Sequence, residues 1–180
     1  RYEPWADFMT ERELEHTRAL YAGEVTLVDT WFGHVLDRLA ELGLAENTVV
    51  IFMSDHGYYL GERGWIGKSR FKGDRGHRLP LYEEIVHIPL VVRVPGATPA
   101  RVDPLVQVVD IAPTILDLCG AKPAPTHQGR SFRRVLEGDM TPLREFALSG
   151  TGVHQGGRYR PATITTTEWS LIHTGKVLAP

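Results

Sequence analysis

Thr48-Val49-Val50-Ile51-Phe52-Met53-Ser54-Asp55-His56-Gly57 is the stretch that decides how this chain is read. Val49 to Met53 form an uninterrupted apolar run, rich in β-branched and aromatic residues. Such a run predicts a strand buried on both faces of a parallel sheet. Sheets of that kind place ligands in the crevice at the carboxyl ends of their strands. Asp55 and His56 therefore fall where an α/β protein does its chemistry, and a carboxylate beside an imidazole suits a divalent metal. Asp55-His56-Gly57 also reads as a plain turn, with Asp bonding to the backbone and Gly supplying a positive φ.

The residues that follow tip this balance. Arg63, Lys68, Arg70, Lys72, Arg75 and Arg78 stand against only Glu62 and Asp74, with His77 as a further cation when protonated. The whole chain carries a formal net charge of −2, so the excess is local. A cationic loop after a metal-binding strand end suits an anionic ester such as a sulfate or phosphate. Interleaved Gly61, Gly64, Trp65, Gly67, Phe71, Gly73 and Gly76 predict a shaped loop rather than a solvating tail.

Upstream, Leu14, Tyr21, Val25, Val28, Phe32, Val35, Leu39 and Leu42 recur at spacings of three, four or seven. They mark one face of a long amphipathic helix that Gly43 stops. Downstream, a short helix is predicted over Leu81–Ile85 and a strand over Leu90–Val94, giving the alternation of a parallel or mixed sheet between helices. Val102–Val109 reads as a further strand interrupted by Pro104. Asp110 is placed to cap the helix after it, with Pro113 in the first turn. Beyond Gly138 the segments Glu145–Ser149, Pro161–Thr167 and Glu168–Thr174 read as short antiparallel strands, their threonines β-formers rather than ligands.

Composition fits a folded enzyme domain: 180 residues, 42% apolar and 23% charged. The length allows a sizeable core. No apolar run approaches a membrane span and no signal peptide is expected at the start. The partner expected is an anionic ester, with neither a membrane nor a nucleic acid. The single cysteine, Cys119, excludes an internal disulfide and assigns no compartment. Its place late in an apolar helical pattern predicts a buried packing residue. His34, His87, His127, His154 and His173 lack motif support and read as structural or surface residues.

Ser54-Asp55-His56-Gly57, Leu60-Gly61-Glu62-Arg63-Gly64 and Gly67-Lys68 together resemble the second metal-site motif of the sulfatases, in the alkaline-phosphatase superfamily. The resemblance continues through Leu81-Tyr82-Glu83-Glu84, His87-Ile88-Pro89-Leu90-Val91-Val92-Arg93, Val109-Asp110-Ile111-Ala112-Pro113-Thr114 and Gly129-Arg130-Ser131-Phe132, spanning roughly residues 21–174. It implies an α/β fold of alkaline-phosphatase type, with a mixed or parallel sheet flanked by helices and the start of a small antiparallel C-terminal sheet. Residues 1–140 are expected to be the C-terminal part of the α/β domain, and residues 141–180 the beginning of the antiparallel subdomain.

The resemblance also assigns roles. Asp55 and His56 match metal-site positions, with Ca²⁺ the usual ion and Mn²⁺ or Zn²⁺ the alternatives. Lys68 matches the lysine that binds the ester's anionic oxygens, and His77 a weaker substrate contact. Glu83 and Glu84 are expected to pair with the basic loop in a structural role. The family's nucleophile, a formylglycine made from Cys or Ser in a Cys/Ser-x-Pro-x-Arg motif, has no counterpart here, nor do its paired metal-binding aspartates. Cys119-Gly120-Ala121-Lys122-Pro123 has its proline too far along. The expectation is the C-terminal portion of a sulfatase, inactive alone and partnered by the N-terminal half that carries the nucleophile. A portion of a phosphonate monoester hydrolase or phosphodiesterase, and a non-catalytic binding module of the same fold, are the alternatives.

Overall fold

The computed structural model of the protein describes residues 5–68, 81–150 and 161–173. The chain forms two compact units, Arg1–Gly96 and Ala97–Pro180.

The first unit opens with the long helix α1 (Glu11–Glu41). Its start is a capping box: the Glu13 amide donates to Thr10 Oγ1 at 3.3 Å, and the Thr10 amide to Glu13 Oε2 at 2.7 Å. These bonds satisfy amides that have no partner inside the helix. Gly43, at φ +68, ends it as its position predicts. Strand β1 (Val50–Met53) follows, then the strand pair β2 (Tyr59–Leu60) and β3 (Ile66–Gly67), the short helix α2 (Glu83–Val86) and strand β4 (Leu90–Arg93).

The apolar run does become a strand, but its partner within this chain is antiparallel. β1 pairs with β4 in the register Val50↔Arg93 through Met53↔Leu90. The expectation of a parallel neighbour on this strand is therefore corrected. All four β1 residues are half-buried rather than enclosed on both faces. An apolar run reports burial, and burial does not fix the direction of the neighbouring strand.

The predicted helix stripe is present, but little of it is covered. Leu14 is fully buried, Phe32 meets Phe52 of β1 with ring centroids 4.8 Å apart, and Tyr21 meets Tyr58 at 5.8 Å. Val25, Val28 and Val35 of the stripe, and Trp31 beside it, are each more than half exposed. The cause is dimensional: a helix of 31 residues runs about 46 Å, whereas a four-residue strand spans about 13 Å. The core of this unit lies beside the turn after β1, where Tyr59, Leu81 and Ile85 are buried against Trp65, Tyr82 and Val86.

The second unit holds helices α3 (Ile111–Leu118) and α4 (Arg133–Leu136). A three-stranded antiparallel sheet completes it, in the order β5 (Ala147–Gly150), β6 (Ala162–Thr165), β7 (Ser170–His173). The threonine-rich tail is thus the antiparallel sheet its pattern predicts, with Thr163 on the central strand 1% exposed. Among the described residues, no helix is long and apolar enough to cross a membrane.

Three sequence expectations are corrected in this unit. Val102–Val109 forms no strand; its end turns into a single 3₁₀ turn, Val108–Asp110. The Gln107 amide goes to Asp110 Oδ2 at 2.7 Å and the Gln107 side chain to the Leu148 carbonyl at 2.7 Å, so these groups are satisfied without a ladder. Asp110 stands at the N-terminus of α3, yet its carboxylate makes no capping bond to that helix. Cys119 is exposed, because α3 stops at Leu118 and the cysteine is the residue that closes it.

Candidate active site

Site geometry begins at Gly57. A β-carbon there would lie 1.8 Å from the Glu84 carbonyl oxygen, so only glycine lets α2 press against the turn after β1. The Gly57 amide donates to the Ile85 carbonyl at 2.8 Å, and the Ser54 hydroxyl to the His56 carbonyl at 2.7 Å. The turn is thereby held from both sides, and Asp55 and His56 emerge from it at fixed positions.

His56 is oriented by its backbone neighbours. Its Nδ1 lies 2.8 Å from the Gly57 carbonyl, an acceptor only, so Nδ1 carries the proton. Nε2 then presents a lone pair. Two groups converge on that atom: Lys68 Nζ at 2.5 Å and Asp55 Oδ2 at 3.3 Å. An imidazole nitrogen and a carboxylate oxygen so close together repel unless a cation lies by them, and here the ammonium supplies that charge. An imidazole whose other nitrogen is fixed by a backbone carbonyl is also the usual arrangement of a metal-binding histidine. The Asp55 side chain is 83% exposed and open to further partners.

Lys68 reaches His56 because the β2–β3 pair folds back on itself, with Tyr59 opposite Gly67 and Leu60 opposite Ile66. The structure thus brings together three of the residues singled out in the sequence, Asp55, His56 and Lys68. His77, and the cations from Arg70 to Arg78, lie outside the described residues. Glu84 takes the structural role expected of it, pairing with Arg63 of the basic run at 3.1 Å. Among the described residues no cluster of three or more His, Cys, Asp or Glu side chains is placed to hold a metal. Asp55 and His56 stand together as one carboxylate and one imidazole, 3.3 Å apart.

The roles of two residues were not read from the sequence. Arg63 adopts φ +56, a left-handed backbone that non-glycine residues rarely take, and its guanidinium lies 3.9 Å from the centre of the Tyr82 ring. The glycines on either side, Gly61 and Gly64, were the signal for a tight turn there. Asp110 is the other. Its carboxylate is fully buried and accepts from the Arg130 amide at 2.8 Å, the Gln107 amide, and both arms of Arg144. Burial alone would raise its carboxyl, but Arg144 and the two amides outweigh it and hold the group below the ordinary aspartate range. Gly129 makes the approach feasible, since a β-carbon on it would fall 1.9 Å from the Val109 carbonyl.

The sequence profile of the Sulfatase family matches residues 2–121, more than half of the chain, and the chain belongs to that family. It is 36% identical over 121 residues to N-acetylglucosamine-6-O-sulfatase of Bacteroides thetaiotaomicron, covering 66% of this chain and 20% of that protein. Among solved structures, the fold is similar to phosphonate monoester hydrolase from Silicibacter pomeroyi, with a TM-score of 0.79 and 28% identity over 95% of this chain and 35% of that one. It is also similar to a protein solved in complex with its substrate D-glucosamine-2-N,6-O-disulfate, with a TM-score of 0.67, 33% identity, and 83% and 30% coverage. The α/β, alkaline-phosphatase-like fold expected from the sequence is therefore the fold found. The chain spans about a fifth of the length of the curated relatives it matches.

Proposed function

We propose that this chain is part of a metal-dependent sulfatase, a sulfuric ester hydrolase, and supplies part of its metal site and part of its substrate-anion site. The observation that carries the reading is the convergence of Asp55 Oδ2 and Lys68 Nζ on His56 Nε2. Asp55 and His56 would hold the ion, Ca²⁺ first and Mn²⁺ or Zn²⁺ as alternatives, since a carboxylate serves any of these and an imidazole favours the last. When bound, the ion supplies positive charge beside the ester oxygens. The Gly57 carbonyl keeps the proton on His56 Nδ1, so Nε2 remains a donor of its lone pair. Lys68 would leave His56 for an anionic oxygen of the substrate, where its charge would counter that of the transition state. His77 is assigned a second contact to the same anion.

The remaining parts of the site are assigned to an N-terminal half, which brings the formylglycine and the further metal carboxylates. The largely uncovered apolar stripe of α1 supports such a partner. A phosphonate or phosphate ester substrate is the second reading, favoured by the similarity to the phosphonate monoester hydrolase. A non-catalytic module is the third. Parallel assays of the full-length protein against sulfate, phosphate and phosphonate esters, with Ca²⁺, Mn²⁺ or Zn²⁺, separate them. Sulfate-ester turnover lost in Asp55→Asn is the expected result. Turnover confined to phosphonate or phosphate esters overturns the first reading in favour of the second, and no turnover of any ester favours the third.

A further inference from the structure

Lys68 follows directly on strand β3, and β3 has β2 as its partner, so whatever anchors this strand pair sets where the ammonium falls. One side is anchored to α1, where Arg18 Nε donates to the Leu60 carbonyl at 2.7 Å. The other is anchored by Arg63, between the two strands. Its Nε lies 3.1 and 3.3 Å from the two oxygens of Glu84, and its guanidinium covers the Tyr82 ring. Glu84 is also the residue whose carbonyl presses on Gly57, and Ile85 takes the Gly57 amide. The Arg63 side chain therefore ends on the short helix that fixes the histidine turn, while its backbone belongs to the connection that leads to the lysine.

A left-handed backbone at a non-glycine residue is unfavourable and persists only where surrounding contacts impose it. Arg63 could sit in that turn as glycine or asparagine at less cost. The arginine is kept at a strained position beside a glutamate that is itself only a quarter exposed. We propose that Arg63 is a positioning residue: through Glu84 and Tyr82 it locks the β2–β3 pair to α2 and so holds Lys68 on His56. The inference rests on the functional reading above. It predicts a residue that touches neither substrate nor metal and still sets the rate.

The test uses the full-length protein and three variants. Arg63→Gly removes the side chain while relieving the backbone, Arg63→Lys keeps the charge without the two-oxygen geometry, and Glu84→Gln is nearly isosteric and leaves Arg63 in place. The readouts are kcat and KM, metal affinity, the thermal midpoint, and the ¹⁵N shift of His56 Nε2 at one fixed pH. Arg63→Gly is expected to lower kcat by about 10- to 100-fold, the scale found for groups that orient a site from behind. KM, metal affinity and the thermal midpoint should stay near the parent, the Nε2 shift should move, and Arg63→Lys should recover part of the rate. Equal kcat in all variants, or a loss wholly accounted for by unfolding, overturns the inference. Should Arg63→Gly not fold, Glu84→Gln decides by the same criteria. Should the unsubstituted protein hydrolyse no ester, the functional reading fails, and the ¹⁵N shift judges the positioning role by itself: a shift unmoved in Glu84→Gln and Arg63→Gly overturns it.

Discussion

Arg144 grips both carboxylate oxygens of Asp110, a side chain with no solvent exposure. With the Arg130 and Gln107 amides on the same two oxygens, this buried charge is fully partnered. Removing one member of such a set strands the other in low dielectric, at a cost of about 3–5 kcal/mol. Asp110→Ala should therefore destabilise the second unit by roughly that amount, read as a shift of the urea midpoint at constant slope. A change below about 1 kcal/mol would mean that water reaches the pair in solution.

The same carboxylate sets an acid limit. Its folded-state affinity for protons is depressed, so the unfolded chain takes up the proton first as pH falls. The contribution is complete above the ordinary aspartate value near about pH 4 and is lost as pH drops further through the depressed folded value. Urea midpoints collected between neutral pH and acid should fall in that window, with a smaller fall in Asp110→Asn. Parallel pH curves for the two proteins would contradict the assignment.

Tyr59 works in the opposite direction. Burial pushes its hydroxyl up to about 12, with the Tyr82 amide, 3.4 Å away, only partly offsetting this. The folded state holds that proton longer than the unfolded one, whose tyrosine titrates near about 10. Stability tied to Tyr59 is whole below pH 10 and declines as pH rises toward 12. Ultraviolet titration of phenolate should show a late component that disappears in Tyr59→Phe; its persistence would assign it to another tyrosine.

Metal affinity tests the proposal that the site is divided. Ca²⁺ takes about six to eight oxygen ligands and responds to the number of carboxylates, of which the turn offers Asp55. Calorimetric titration of this chain alone should show weak Ca²⁺ binding or none, and aryl sulfate and aryl phosphate assays no turnover above background. A stoichiometric micromolar site abolished by Asp55→Asn would show that the chain is sufficient by itself. In the full-length protein, Lys68→Ala should depress turnover and leave metal affinity nearly intact.

The uncovered stripe of α1 has a practical outcome. Contiguous exposed apolar surface of this kind promotes association. Replacing Val28, Trp31 and Val35 together with polar residues should raise the soluble yield of the isolated chain and move its sedimentation toward monomer. An unchanged distribution would show that the stripe does not drive association.

Much of this arrangement was legible in the residues, and the reasons differ from place to place. Val49 to Met53 announced a strand because burial leaves a compositional trace, and the helix before it announced itself by period. Direction of pairing leaves no such trace, and the antiparallel pairing with β4 is visible only in the fold. Val102–Val109 misled because β-branched residues also suit extended chain whose polar groups find partners outside a ladder, here the Gln107 amide on the Asp110 carboxylate and the Gln107 side chain on the Leu148 carbonyl. Asp55, His56 and Lys68 were legible as a set because their spacing matched a family. The roles of Arg63 and Asp110 depend on partners 21 and 34 positions away, and nothing local in the sequence names such partners.

The Gly57 turn meets α2 main chain to main chain. What is fixed there is a clearance, and a clearance is indifferent to those side chains of α2 that neither join the core, as Ile85 does, nor bind Arg63, as Glu84 does. Descendants of this chain can therefore rewrite the outer face of that helix, at positions such as Glu83, while the histidine beneath keeps its aim. Change on the outer face of α2 is decoupled, at this one joint, from the aim of His56.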